Sequence, residues 1–223
     1  SQKEDVLNDL KKAADKGIIH SIYLYGKYLP ACSKGRSCMR EASRYIKIAA
    51  DNGISDAMCL YGRLLAEGDG VEINYTEAIK YYKMAIDHEN ASAMYNYGVF
   101  LEKDHGINIK ANPLEAIKYY KMAINKGNAN AMNQYGYMLQ YGNGVEVDIY
   151  NAIKYYQMAI DRGNIEAMIN YSTILEHGIG VEQNVEEANR YLKMTIDKGS
   201  PDAIVQYALF MHNKLNDKTY KSK

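Results

Sequence analysis

Tryptophan is absent from the 223 residues, phenylalanine occurs twice, cysteine three times, and neither sign of charge prevails. Lysine plus arginine and aspartate plus glutamate number 27 each, a formal net charge of zero. Such a chain lacks the excess of basic charge on which nucleic-acid binding draws, so nucleic acid is not an expected partner. No apolar run approaches the roughly 18 residues of a membrane span, and no signal peptide is visible. Three glycosylation sequons begin at Asn74, Asn90 and Asn170. They leave an ER-lumenal or secreted location open without supporting it, since chance sequons are common in an asparagine-rich chain, and a cytoplasmic location is slightly favoured.

Catalytic signatures are also missing. Cys32, Cys38 and Cys59 are too few to staple a chain of this length. Cys32 and Cys38 are close enough in sequence to pair, or to hold a metal with a histidine. With no second pair nearby they read as isolated thiols. His20, His88, His105, His177 and His212 show no H-E-x-x-H spacing, and no G-x-S-x-G element occurs. The glycine pairs at 68/70, 142/144 and 178/180 lack the preceding strand and the following Gly-Lys-Ser/Thr of a phosphate loop. We expect no catalytic residue, no metal site and no cofactor, and read the chain as a non-enzyme.

What is abundant is repetition. A ten-residue phrase, E-A-I-K-Y-Y-K-M-A-I, runs from Glu77 to Ile86 and again from Glu115 to Ile124, and returns with two changes at Asn151–Ile160. Ser21, Ala57, Ala93, Ala131, Ala167 and Ala203 share one position, at spacings of 36, 36, 38, 36 and 36 residues. A self-similar period of about 20 to 50 residues marks an array of stacked supersecondary units.

Within one unit, Ala57, Leu60, Tyr61, Leu64 and Leu65 recur at helical spacing. Gly68-Asp69-Gly70-Val71 then breaks the pattern, because paired glycines favour backbone angles that a helix does not use. Ala78, Ile79, Tyr82, Ala85 and Ile86 form the apolar face of a second helix. A short turn closes the unit, with Gly53, Gly127, Gly163 and Gly199 at the C-terminal cap elsewhere. Each unit is therefore helix A, loop, helix B, turn. The repeated alanines and Gly62, Gly98 and Gly136 serve close helix–helix approach, a role still open to Ser172 and Ala208. The 22 tyrosines are read as packing, with pairs such as Tyr81-Tyr82 and Tyr119-Tyr120 putting one ring inside and one nearer the surface.

This reading divides the chain into a half repeat at 4–17, repeats at 18–53, 54–90, 91–128, 129–164 and 165–200, a half repeat at 201–213, and a polar lysine-rich tail at 214–223. An array that opens on an ordinary helix B, in a chain without an initial methionine, suggests a piece of something longer that carries additional domains.

The segments A-M-C-L-Y-G-R-L-L-A-E-G-D-G-V (57–71), A-M-N-Q-Y-G-Y-M-L-Q-Y-G-N-G-V (131–145) and A-M-I-N-Y-S-T-I-L-E-H-G-I-G-V (167–181), with the E-A-x-x-Y-Y-x-x-A phrase and the D-x-G turn, resemble the Sel1-like repeat. The resemblance covers nearly all of residues 5–213. Two loops depart from it: residues 30–36 lack G-x-G-V, and residues 105–113 carry a two-residue insertion. The resemblance implies an all-α fold, a right-handed alpha-alpha superhelix (solenoid) of about five to six helix-turn-helix repeats. It implies a scaffold or adaptor for protein–protein interaction. The alternative it allows is a regulatory segment of a larger signalling protein, such as one with a kinase domain. Disulfide-rich bacterial relatives bridge helix B to the next helix A. Ala50 and Met58 occupy those places here, so that scheme and the β-lactam chemistry associated with it are not expected.

In such solenoids helix A faces the concave side, the usual binding surface. Alignment with the related tetratricopeptide repeat selects the residues one before the repeated alanine and two, six, nine and ten after it. The candidate partner-binding residues are then Tyr23, Lys27, Asp56, Arg63, Tyr95, Glu102, Asn133, Tyr137, Gln140, Tyr141, Glu176 and His177. These positions vary between repeats while the packing positions do not. Tyrosine and arginine are frequent anchors of interfaces, and Asn and Gln suit the backbone of an extended peptide. The expected partner is a protein or extended peptide segment, with its acidic part toward Arg63. The Lys-plus-Asn clamp of chaperone-binding tetratricopeptide repeats is not reproduced, as those slots hold Cys59/Arg63 and Asn133/Tyr137.

Overall fold

The computed structural model describes residues 2–32, 35–106 and 109–199, with 204, 205, 207–209 and 211 beyond them. Most of the closing half repeat (201–213), the tail (214–223), His212 and the side chain of Cys32 lie outside the described residues, and with them the Cys32–Cys38 pairing. Among the described residues there are eleven helices: α1 (Gln2–Asp15), α2 (Ile19–Cys32), α3 (Arg36–Asp51), α4 (Ser55–Glu67), α5 (Tyr75–Asp87), α6 (Ala91–Leu101), α7 (Pro113–Asn125), α8 (Ala129–Tyr141), α9 (Ile149–Ile160), α10 (Ile165–His177) and α11 (Val185–Asp197). No strand occurs among the described residues. The fold is all-α and built of consecutive helical repeats, as the periodicity predicts. The helices fall into two compact units, Ser1–Lys126 with α1 to α7 and Gly127–Lys223 with α8 to α11.

The hairpins α2/α3, α4/α5 and α6/α7 of the first unit, and α8/α9 and α10/α11 of the second, each pair a helix A with its helix B. Their closest approach comes where a glycine of helix A meets a side chain of helix B. A methyl group on Gly98 would lie 2.6 Å from Tyr120 Cε1, and one on Gly136 would lie 3.0 Å from Tyr156. Gly62 stands in the same relation to Tyr82, at 3.1 Å, and Gly26 to Ile46, at 2.9 Å. These glycines are required by space, not by backbone angle. In the last hairpin the equivalent positions are Ser172 and Leu192, both buried: the added Oγ accompanies the loss of the ring.

The tyrosine pairs of helix B divide their work. The second ring packs on the glycine, and Tyr82, Tyr120 and Tyr156 are 2%, 0% and 0% exposed. The first ring meets a helix A tyrosine edge to face, as in Tyr61–Tyr81, Tyr97–Tyr119 and Tyr135–Tyr155 with centroids 4.8, 4.7 and 4.8 Å apart. Tyr25–Tyr45 and Tyr171–Tyr191 repeat the contact. Edge-to-face pairs contribute about 0.5–1.5 kcal/mol each beyond their buried area. The tyrosine excess is therefore mostly a packing ladder, one rung to each hairpin.

Asparagine supplies the punctuation. Asn74, Asn112 and Asn184, with Asp148, accept from the backbone N–H three residues on and start the B helices. Asn90, Asn128 and Asn164 do the same for A helices. Such caps contribute about 1 kcal/mol apiece. The N–H groups of Asn74, Asn112, Asp148 and Asn184 also donate to Leu65, Leu101, Leu139 and Leu175, returning each loop to the end of its helix A. In the first G-x-G loop, Gly70 has φ +73, and a Cβ there would stand 2.2 Å from Met39 O of the preceding helix B. Both the backbone angle and the close approach exclude other residues.

Gly98→Ala is expected to destabilise the chain by about 1–3 kcal/mol through overpacking against Tyr120. The double substitution Gly98→Ser/Tyr120→Leu, which copies the last hairpin, recovers part of that loss. Urea unfolding followed by circular dichroism measures the difference, and strict additivity of the two single changes would contradict the pairing.

Candidate functional site

The residues chosen from the repeat register lie on the A helices or at their ends, and the structure divides them into two groups. Some are occupied by the chain itself. Asn90, while capping α6, donates to Asp56 of α4 at 2.7 Å, and Asn164 donates to Asn130 of α8 at 2.8 Å. One turn further, Asn96 Nδ2 donates to Cys59 Sγ at 3.2 Å and Asn170 Nδ2 to Asn133 Oδ1 at 2.9 Å. Each bond joins one helix A to the next. Asp56 and Asn133 thus help to hold successive repeats in register. The sequence signal for these links is Asn90 and Asn164 at one position and Asn96 and Asn170 at another.

Glu102 and Gln140 are also engaged, in another direction. They stand nine residues after the repeated alanine, above the buried helix B ring. Tyr120 donates its hydroxyl to Glu102, and Tyr156 donates to Gln140 Oε1 at 2.7 Å. Gln140 is 8% exposed. Burial, then the Glu102 carboxylate, pushes the Tyr120 hydroxyl far above its usual range, so it stays protonated and donates.

Of the others, all but Tyr23 lie open or half-open. Tyr137 and Tyr141 are 42% and 59% exposed, with centroids 4.5 Å apart. Lys27 lies 5.5 Å above the Tyr23 ring, and Tyr23 itself is buried. Arg63 pairs with Glu67 at 2.6 Å. Tyr95 is half-buried, its ring centroid 6.0 Å from that of Tyr120. Glu176 is half-buried and His177 exposed, its Nδ1 3.0 Å from Thr173 O.

At α4 the pattern breaks. The residue nine after Ala57 is Ala66, too short to reach the ring below. Tyr82 Oη has no hydrogen-bond partner within the protein among the described residues, and it is not fully shut off from solvent. A cavity of ≈ 260 Å³ opens there, lined among others by Tyr82, Arg63, Glu67, Asn96, Lys103 and His105. His105 comes from the loop with the two-residue insertion. Its ring stacks on Phe100 with centroids 4.0 Å apart, and Nε2 lies 2.9 Å from Phe100 O, a geometry in which Nε2–H donates. Burial is the main cause that raises the Tyr82 hydroxyl above its ordinary value.

Among the described residues, no group of three His, Cys, Asp or Glu side chains could hold a metal ion, and no helix is long and apolar enough to cross a membrane. Burial raises the Cys59 thiol to about 11, so it is protonated at neutral pH and a poor nucleophile.

The Sel1 repeat model matches residues 55–90, 91–128, 129–164 and 165–200. Among solved structures, a Sel1 repeat protein from Oxalobacter formigenes superposes with a TM-score of 0.77 at 30% identity, over 86% of this chain and 76% of that one. A protective antigen of uropathogenic Escherichia coli with the same kind of fold gives 0.69 at 22% identity, over 94% of this chain and 44% of its own. An immunity protein of Pseudomonas aeruginosa gives 0.63 at 20% identity, over 83% and 67%. A search of curated proteins finds no match. Sel1 repeats generally mediate protein–protein interaction, and the fold is typically a non-catalytic scaffold.

Tyr156→Phe is expected to cost about 1–2 kcal/mol, since it leaves the buried Gln140 amide without its donor. Tyr82→Phe, with no bond to lose, is expected to stay within about 0.5 kcal/mol of the parent. Equal losses in chemical denaturation would contradict the difference between the two sites.

Proposed function

Given that the chain belongs to the Sel1 repeat family, we propose that it is a non-catalytic adaptor that binds a protein or extended peptide segment along the outer side of its A helices. The observation that carries this reading is the mixture on that side. Exposed tyrosines and a partly exposed arginine stand beside residues already fixed by the next repeat. Tyr137 and Tyr141 offer amphipathic area that loses little side-chain entropy on binding, and Arg63 uses only part of its donor set on Glu67. The links through Asp56 and Asn133 keep the backbone rigid beneath these anchors, which lowers the ordering cost of binding.

Affinity capture with the parent chain and with an Arg63→Glu/Tyr137→Ala/Tyr141→Ala variant tests the reading. All three side chains are at least partly exposed, so the variant should keep its helical circular dichroism. Partners identified by mass spectrometry should be lost with the variant. Partners retained at full yield would move the interaction to the B helices or the loops.

A further inference from the structure

The cavity beneath Ala66 repeats, in the negative, an arrangement the chain builds for itself twice. In α6 and α8 a side chain nine residues after the repeated alanine reaches the buried tyrosine of helix B and accepts its hydroxyl hydrogen: Glu102 from Tyr120, Gln140 from Tyr156. In the α4/α5 hairpin the tyrosine is present and the acceptor is not. Tyr82 is 2% exposed, packed under Gly62, and lines the ≈ 260 Å³ cavity. The space that Glu102 and Gln140 fill elsewhere is open to solvent here.

The lining specifies what fills it. Arg63 and Lys103 bring two positive charges and Glu67 a single negative charge, a formal net +1 from these three side chains. Arg63 spends one N–H on Glu67 and keeps others free for a second acceptor. Asn96 is fixed by its bond to Cys59, and His105 is fixed over Phe100. The wall is therefore preorganised.

We propose that this cavity takes the carboxylate of an aspartate or glutamate side chain from the bound segment, which accepts from Tyr82 Oη and lies against Arg63 and Lys103. The proposal rests on the adaptor reading and narrows it: the partner carries an acidic residue where it crosses α4 and α6. A carboxylate suits the site better than an amide because it balances the local charge, and its hydrogen bonds to a cationic donor are about twice as strong.

The test uses the full chain, ¹⁵N-labelled, titrated with acetyl-Gly-Gly-Glu-Gly-Gly-amide and with the same peptide carrying Gln or Ala at the centre. The Glu peptide is expected to shift the amide signals of Arg63, Lys103 and His105, and to bind at least tenfold more tightly than the other two. Ala66→Glu supplies the missing acceptor from within and should abolish the response. Tyr82→Phe keeps the ring against Gly62, so it remains informative even if Ala66→Glu unfolds the chain; it should weaken the Glu peptide about tenfold. Equal binding of the three peptides, no response to any, or a response that survives Ala66→Glu and Tyr82→Phe overturns the proposal. Failure of the adaptor reading is separate. A captured partner lost with the Arg63/Tyr137/Tyr141 variant but retained by Ala66→Glu removes the cavity and leaves the adaptor standing.

Discussion

The two helices of the three middle hairpins can approach as closely as they do because a residue with no side chain faces a ring. Gly62, Gly98 and Gly136 admit Tyr82, Tyr120 and Tyr156 at distances where a methyl group would collide at Gly98 and be tight at the other two. That contact sets the spacing of the hairpin, and spacing sets the rest. It brings the first tyrosine of each helix B pair edge-on to the helix A tyrosine. It also carries the second tyrosine far enough through the hairpin for its hydroxyl to reach the outer side of helix A. A packing device thereby delivers a polar group to the surface on which binding is proposed.

Much of this was written in the sequence in a form that periodicity can read. The 36-residue recurrence of Ala57, Ala93, Ala131 and Ala167, the paired glycines and the helix B phrase fix which residues are helical and which are small. The division of labour within Tyr81-Tyr82 and Tyr119-Tyr120 was legible only in outline. Tyr81 is as buried as its neighbour in practice, at 4% exposure, because it packs on Tyr61 and donates to Asp51 at 2.6 Å.

The outer side of helix A was harder to read, for a physical reason. Register tells where a side chain sits on a helix, but not whether a neighbouring repeat already holds it. Asp56 and Asn133 occupy face positions and yet serve the asparagine links between repeats. Glu102 and Gln140 occupy face positions and yet serve tyrosines below them. Repetition makes the exception visible in retrospect: Ala66, between Arg63 and Glu67, stands where the next three repeats place a long polar side chain. Its meaning needed the structure, since only there does the partnerless Tyr82 appear beneath it.

The account places the partner on the A helices and leaves the B helices to packing. Tyrosine reports this directly, because its exposed rings are distributed over both: Tyr137 and Tyr141 on α8, and Tyr150, 81% exposed, on α9. Hydroxyl-radical footprinting of the chain alone and with a captured partner reads all three in one experiment. The account predicts that Tyr137 and Tyr141 lose reactivity in the complex while Tyr150 keeps it. Protection of Tyr150 with Tyr137 and Tyr141 unchanged would contradict it.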